Sequence, residues 1–167
     1  MTRTLVAYAS KHGSTEEVAR WIGSYLRSEG HDVDVRDAAL VPDVESYDAV
    51  IVGGSLYMGR WHADARTFLR RHRAALEARA LAVFALGPLT LEVDQVAGSR
   101  KQLDDALTHL GVHPQFVAVF GGVVDPKKLH FPFNRMPATD ARDSSEIEAW
   151  ADEVAVRFTD YAHAEPV

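Results

Sequence analysis

Cysteine is missing from all 167 residues. That excludes disulfides, thiolate nucleophiles and any zinc or iron–sulfur centre built on cysteine. A basic surplus is missing too: 18 Lys and Arg stand against 24 Asp and Glu, a formal net charge of −6. A nucleic-acid binder meets phosphates with a cationic face, so no nucleic-acid partner is expected. No apolar run approaches the roughly 20 residues of a membrane-spanning helix. The stretch "MTRTLVAYASKHG" lacks the apolar core of a secretion signal. The expectations are no stable membrane insertion and a cytoplasmic location. Neither G-x-x-x-x-G-K-[ST] nor G-x-G-x-x-G occurs, which argues against a nucleoside triphosphatase and against the usual dinucleotide fingerprint. Internal repeats, low-complexity tracts and domain-length linkers are absent as well. A chain of this length, with an ordinary 47% of apolar residues, is expected to form one domain over 1–167.

What is present is an alternation of two periodicities. "TLVAYA" (4–9), "YDAVIVGGS" (47–55) and "LAVFALGPL" (81–89) are continuous apolar runs, the second running out at Gly53 and Gly54 and the third at Gly87 and Pro88. "HDVDVRD" alternates with period two, and "PQFVAVFGGVV" gives a fifth strand. Between them Val18, Ile22, Tyr25 and Leu26 fall on one helical face, and Gly30 marks a stop. "DARTFLRRHRAAL" and "SRKQLDDALTHLG" predict two more helices. "SEIEAWADEVAVRFTDYA" predicts a closing helix with Ile147, Trp150, Val154 and Phe158 on one face. Apolar strands alternating with helices imply an α/β fold, a parallel sheet covered on both faces. Five strands in this length predict the order 2-1-3-4-5.

Such sheets bind ligands beyond the carboxyl ends of their strands. That rule selects three loops: Ser10–Thr15, Gly54–Trp61 and Leu86–Ala97. The first, inside "YASKHGST", joins a buried strand to a helix. A helix start offers unpaired N–H groups and a positive dipole end, an anion site. Ser10, Ser14 and Thr15 add hydroxyls, and Gly13 lets the backbone turn close to a ligand. Ser14 and Glu17 also have the spacing of a capping box, so a plain capped helix accounts for this loop equally well. One glycine among several hydroxyls points to a small monophosphate ligand.

Together "YASKHGST", "VIVGGSLYMGRW" and "ALGPL", in that order and spacing, resemble the three flavin loops of the flavodoxin family. The resemblance runs over nearly the whole chain. It implies a flavodoxin-like three-layer sandwich holding flavin mononucleotide (FMN). Ser10, Lys11, His12, Gly13, Ser14 and Thr15 would wrap the phosphate. Ser55, Leu56, Tyr57, Met58 and Gly59 would follow the ring edge, with Tyr57 or Trp61 covering a face. Leu86, Gly87, Pro88 and Leu89 would lie at the pyrimidine side. "GSLYMGRWHADARTFL" and "ATDARDSSEIEAWADEV" resemble the flavodoxin-domain branch that includes menaquinone-dependent protoporphyrinogen IX dehydrogenase. That branch implies an FMN-dependent oxidoreductase whose partners are a small molecule or a redox protein, a quinone among them. The alternative is a flavodoxin-type electron carrier docking to redox proteins. Phe131 and Phe133 would form a lid, a docking patch or a strap on the last helix. Arg60, or Lys127 and Lys128, would meet substrate carboxylates.

Other chemistry is weaker. "GGSLY" has the serine of a nucleophile elbow, but Tyr57 stands where the second glycine belongs. His109 and His113 are four apart, yet Gly111 and Pro114 interrupt the helix, so no metal site is expected there. No side chain stands out as a catalytic acid or base.

Overall fold

A computed structural model describes residues 1–164. The main sheet holds β1 (Arg3–Ala9), β2 (Asp32–Asp37), β3 (Ala49–Tyr57), β5 (Ala80–Leu86) and β6 (Phe116–Phe120), all parallel. Their order is β2-β1-β3-β5-β6, the expected 2-1-3-4-5 when only parallel strands are counted. Two additions were not expected. A two-residue strand β4 (Arg60–Trp61) pairs antiparallel with the end of β3. A separate ribbon joins β7 (Val123–Val124) to β8 (Thr139–Asp140). Two-residue strands carry too few side chains to show a period, so no sequence pattern marks them.

The strands are apolar throughout because both faces are covered, and alternate side chains divide between them. Leu5, Ala7, Val50, Val52, Val83 and Ala85 pack under α2 (Ala63–Leu76) and α3 (Val93–Leu110). Val6, Ile51, Ala82 and Phe84 pack under α1 (Ser14–Ser28) and α4 (Ser144–His163). Helix α1 buries Val18, Ile22 and Leu26, the predicted stripe. Truncating one such side chain to Ala costs about 2–5 kcal/mol.

Two local readings are corrected. The capping box at Ser14 and Glu17 does not form. Gly13, at φ 94°, is the residue before the helix, and no side chain caps it. Ser10 Oγ instead accepts from the Gly13 N–H at 2.9 Å, and the Glu17 carboxylate is taken by Arg142 at 2.6 Å. Helix α3 begins at Val93 rather than Ser99, so the third loop is shorter than Leu86–Ala97. Its first turns bury nothing (the buried residues are Leu103, Leu107 and Leu110), so apolar periodicity had no trace of them.

Strand β1 is flanked by β2 on one side and β3 on the other. The connections leave in opposite directions at this switch point, which opens a crevice beyond the carboxyl ends of the strands.

Candidate functional site

A cavity of about 430 Å³ lies in that crevice, within the usual range for small-molecule sites. Three loops predicted from sequence reach it. From the first come Lys11, His12 and Ser14; from the second Ser55, Leu56, Tyr57 and Met58; from the third Leu86, Gly87 and Leu89. The fourth wall belongs to the chain after β6: Gly122, Val123, Val124, Asp125, Lys128, Leu129, Phe133, Met136 and Arg142. Of this wall, the sequence alone points only to Lys128 and Phe133.

The first loop is shaped as an anion cradle. The first N–H groups of any helix lack intrahelical partners, and here the chain enters α1 through Gly13 in the left-handed region. Thr15 is 0% exposed, and its Oγ1 has no hydrogen-bond partner. A buried hydroxyl without a partner costs about 1–3 kcal/mol, and an anion at the loop is an acceptor for it. His12 Nε2 is likewise buried without a partner. Burial, with Lys11 and Lys128 adding to it, holds the His12 imidazole below its ordinary pKa. The ring is therefore neutral near pH 7. Tyr8, at the end of β1, donates to Glu16 Oε1 at 3.1 Å. Its phenol is pushed up by burial and by that carboxylate. Glu16 is lowered in turn, chiefly by its hydrogen bond from Arg20.

The second loop is a hairpin whose two turn residues, Met58 (φ 51°) and Gly59 (φ 75°), both have positive φ. That is the twist a two-residue hairpin prefers. It fixes the pairing Leu56↔Trp61 and Tyr57↔Arg60, and so decides the aromatics. Tyr57 lines the cavity, 43% exposed, with Lys11 Nζ 4.4 Å from its ring centroid. Trp61 lies across from Leu56 and is 1% exposed, and its Nε1 donates to the Gly54 carbonyl at 3.0 Å. The expectation that Trp61 covers a ring face is therefore corrected: it is a core residue that braces the hairpin. Gly59 sits at the turn, outside the cavity lining. Ser10 and Gly13 shape the first loop without lining the cavity. Pro88 is buried, and its carbonyl accepts from Gly122 at 2.7 Å.

The fourth wall is an excursion anchored at both ends. The Ala141 N–H donates to the Gly122 carbonyl at 3.0 Å, beside the β7–β8 pair. Gly121 is obligatory there, because a Cβ on it would lie 1.9 Å from the Ala141 carbonyl oxygen. Arg142 then ties the excursion to α1. Its guanidinium grips Asp140 at 2.8 Å and Glu17 at 2.6 Å and lies 4.9 Å from the Trp21 ring centroid. Arg142 is raised, and Asp140 lowered, by their mutual hydrogen bonds. Phe133 faces the cavity, whereas Phe131 is 69% exposed and lies beneath the Arg135 guanidinium.

Among the described residues, no group of three or more His, Asp or Glu could hold a metal ion, and no helix is long and apolar enough to cross a membrane. A segment of 86 residues is 28% identical to the protoporphyrinogen IX dehydrogenase [quinone] of Escherichia coli K12. It covers 50% of this chain and 48% of that protein, so the chain spans about half the length of the curated relatives it matches. Among solved structures, a cysteine-to-alanine mutant of flavodoxin from Pseudomonas aeruginosa is similar over 94% of this chain and 99% of its own, with TM-score 0.63 and 18% identity. Rubredoxin oxygen:oxidoreductase from Desulfovibrio gigas is similar over 97% of this chain and 37% of its own, with TM-score 0.65 and 17% identity. These two likenesses concern the fold alone. The family model of the flavodoxin domain matches residues 5–136, from the first strand into the excursion that closes the cavity, and the chain belongs to that family.

Proposed function

We propose that this chain binds FMN in the crevice and works as a flavin-dependent oxidoreductase on an organic molecule, with protoporphyrinogen IX or a quinone as candidate reactants. The observation that carries the reading is the buried, unpartnered Thr15 hydroxyl on a helix start opened by Gly13, the place for a terminal phosphate. Backbone N–H groups of the first loop and the Ser14 and Thr15 hydroxyls hold that phosphate, with Ser10 bracing the Gly13 turn. Ser55 to Met58, together with Leu86 to Leu89, hold the ring. When bound, the flavin supplies hydride and electron transfer.

The chain's own part is to bind, orient and exclude water. Leu56, Val123, Leu129 and Met136 make the cavity wall apolar, which keeps water from the ring. No protein acid or base is required. The third loop, "LGPLTLEVDQVAG", carries no aromatic, which leaves one ring face for a planar substrate. The partial likeness to the Escherichia coli dehydrogenase supports that reading. A second reading, an electron carrier between redox proteins, is supported by structural neighbours such as the Pseudomonas flavodoxin, whose fold is similar over 94% of this chain.

Purified protein is expected to be yellow or to become so with FMN, and to release the mononucleotide by mass spectrometry. Absence of FMN binding at high micromolar concentration sinks the proposal. Under anaerobic conditions, bleaching by protoporphyrinogen IX and recovery with a soluble menaquinone analogue supports the enzyme. Inertness to both moves the assignment to the carrier.

A further inference from the structure

We propose that Lys128 is the cationic arm of the phosphate site and makes the protein choose phosphorylated over unphosphorylated flavin. The inference rests on the FMN reading above and concerns a residue that no loop pattern marks. Lys128 lies 116 residues from His12 in sequence, yet its Nζ donates to the His12 carbonyl at 2.9 Å. The same ammonium is 3.9 Å from where a Cβ on Gly13 would sit. It therefore hangs over the turn whose left-handed glycine opens the helix start. The sequence offers Lys127 and Lys128, or Arg60 in their place, for substrate carboxylates; the contact of Lys128 with the His12 carbonyl puts it beside the first loop instead.

Two features make this more than a surface lysine resting on a carbonyl. First, the ammonium has three donors. The His12 carbonyl takes one, and no carboxylate among the described residues is paired with it. Asp125, three residues before it, is engaged in its own turn, where its Oδ1 accepts from the Lys127 N–H at 3.1 Å. Second, the lysine is held in place. It ends a short 3-10 turn, Pro126–Lys128, on an excursion fixed by the Gly122–Ala141 hydrogen bond and by Arg142 on Glu17. A flexible stem is thus carried by a backbone whose ends are pinned to the sheet and to α1.

The other donors at the loop, backbone N–H groups and the Ser14 and Thr15 hydroxyls, are neutral. A phosphate monoester carries close to two negative charges near pH 7. Lys128 supplies the charge that the loop lacks, and that attraction vanishes when the ligand ends in a hydroxyl. Lys11 is turned elsewhere, over the Tyr57 ring.

The test is equilibrium binding of FMN and of riboflavin to the full chain, read by flavin fluorescence at low and high salt, for the unaltered protein, Lys128→Met and Lys128→Arg. Lys128 is exposed, so the variants are expected to fold, and unfolding midpoints check this. Lys128→Met should weaken FMN about ten-fold or more, leave riboflavin within about two-fold, and flatten the salt dependence; Lys128→Arg should recover most of the FMN affinity. Equal weakening of both flavins would make Lys128 a mere tether of the excursion and overturn the inference. So would an unchanged FMN affinity. If the unaltered protein binds neither flavin, the FMN reading falls and this inference with it.

Discussion

The first loop, residues 10–15, and the excursion, residues 121–142, face each other across one cavity and are built on opposite principles. The loop works through its backbone. A strand ends, a left-handed glycine turns the chain, and a helix begins; donors follow from that geometry. The excursion works through side chains brought from far away. Lys128 reaches His12, and Arg142 reaches Glu17 across 125 residues. One side of the site is therefore fixed locally, and the other holds only as long as its anchors hold.

Breaking an anchor tests this most severely. In Gly121→Ala the new Cβ would meet the Ala141 carbonyl oxygen, and backbone on both sides must shift. A loss of about 1–3 kcal/mol in denaturant-induced unfolding is expected. FMN affinity should fall with it, because the fourth wall moves. A variant that keeps both stability and affinity would show that the pinch at Gly121 is dispensable.

The loop should fail differently. Thr15→Ala removes a hydroxyl that has no partner in the ligand-free fold, so unfolding midpoints without flavin should hold or rise. FMN binding should nevertheless weaken about ten-fold or more, the worth of a hydrogen bond to a charged group. A drop in stability with unchanged flavin affinity would return the loop to a merely structural role.

The smallest effect belongs to a site remote from both regions. His31 is 7% exposed, with Thr4 Oγ1 at 3.5 Å and Thr159 Oγ1 at 3.4 Å. Burial lowers its pKa below the ordinary 6.5. As pH falls below that value the unfolded chain takes up the proton first, so stability present above pH 6.5 is lost on the acid side. His12 and His72 are lowered by burial too. His31→Gln should therefore reduce, without abolishing, the fall in unfolding midpoint between about pH 7.5 and about pH 5.5. An identical fall in both proteins would refute the assignment to His31.

The same contrast explains what the sequence made legible. Buried parallel strands and the Val18–Ile22–Leu26 stripe follow from periodicity, and so does the crevice, because the switch point follows from strand order. Trp61 was misplaced although a signal existed. A two-residue turn at Met58–Gly59 sets Leu56 against Trp61, hence inward, and Tyr57 against Arg60, hence outward. For Lys128 and Arg142 no such signal exists. Their partners lie more than a hundred residues away, and nothing periodic marks the stretch that carries them.

The pinch at Gly121 has a consequence for how such a site diversifies. The excursion leaves and rejoins the sheet at one point, Gly122 to Ala141, so the sheet does not register how many residues run between. Doubling a loop's length costs only about 0.6 kcal/mol in closure entropy. The length of this segment is thereby only weakly coupled to folding, while the first loop stays tied to the central strand. Under the reading proposed above, molecules with this frame can vary the residues between the Lys128 turn and Ala141 and acquire a new reactant, while Lys128 and the anchors stay in place.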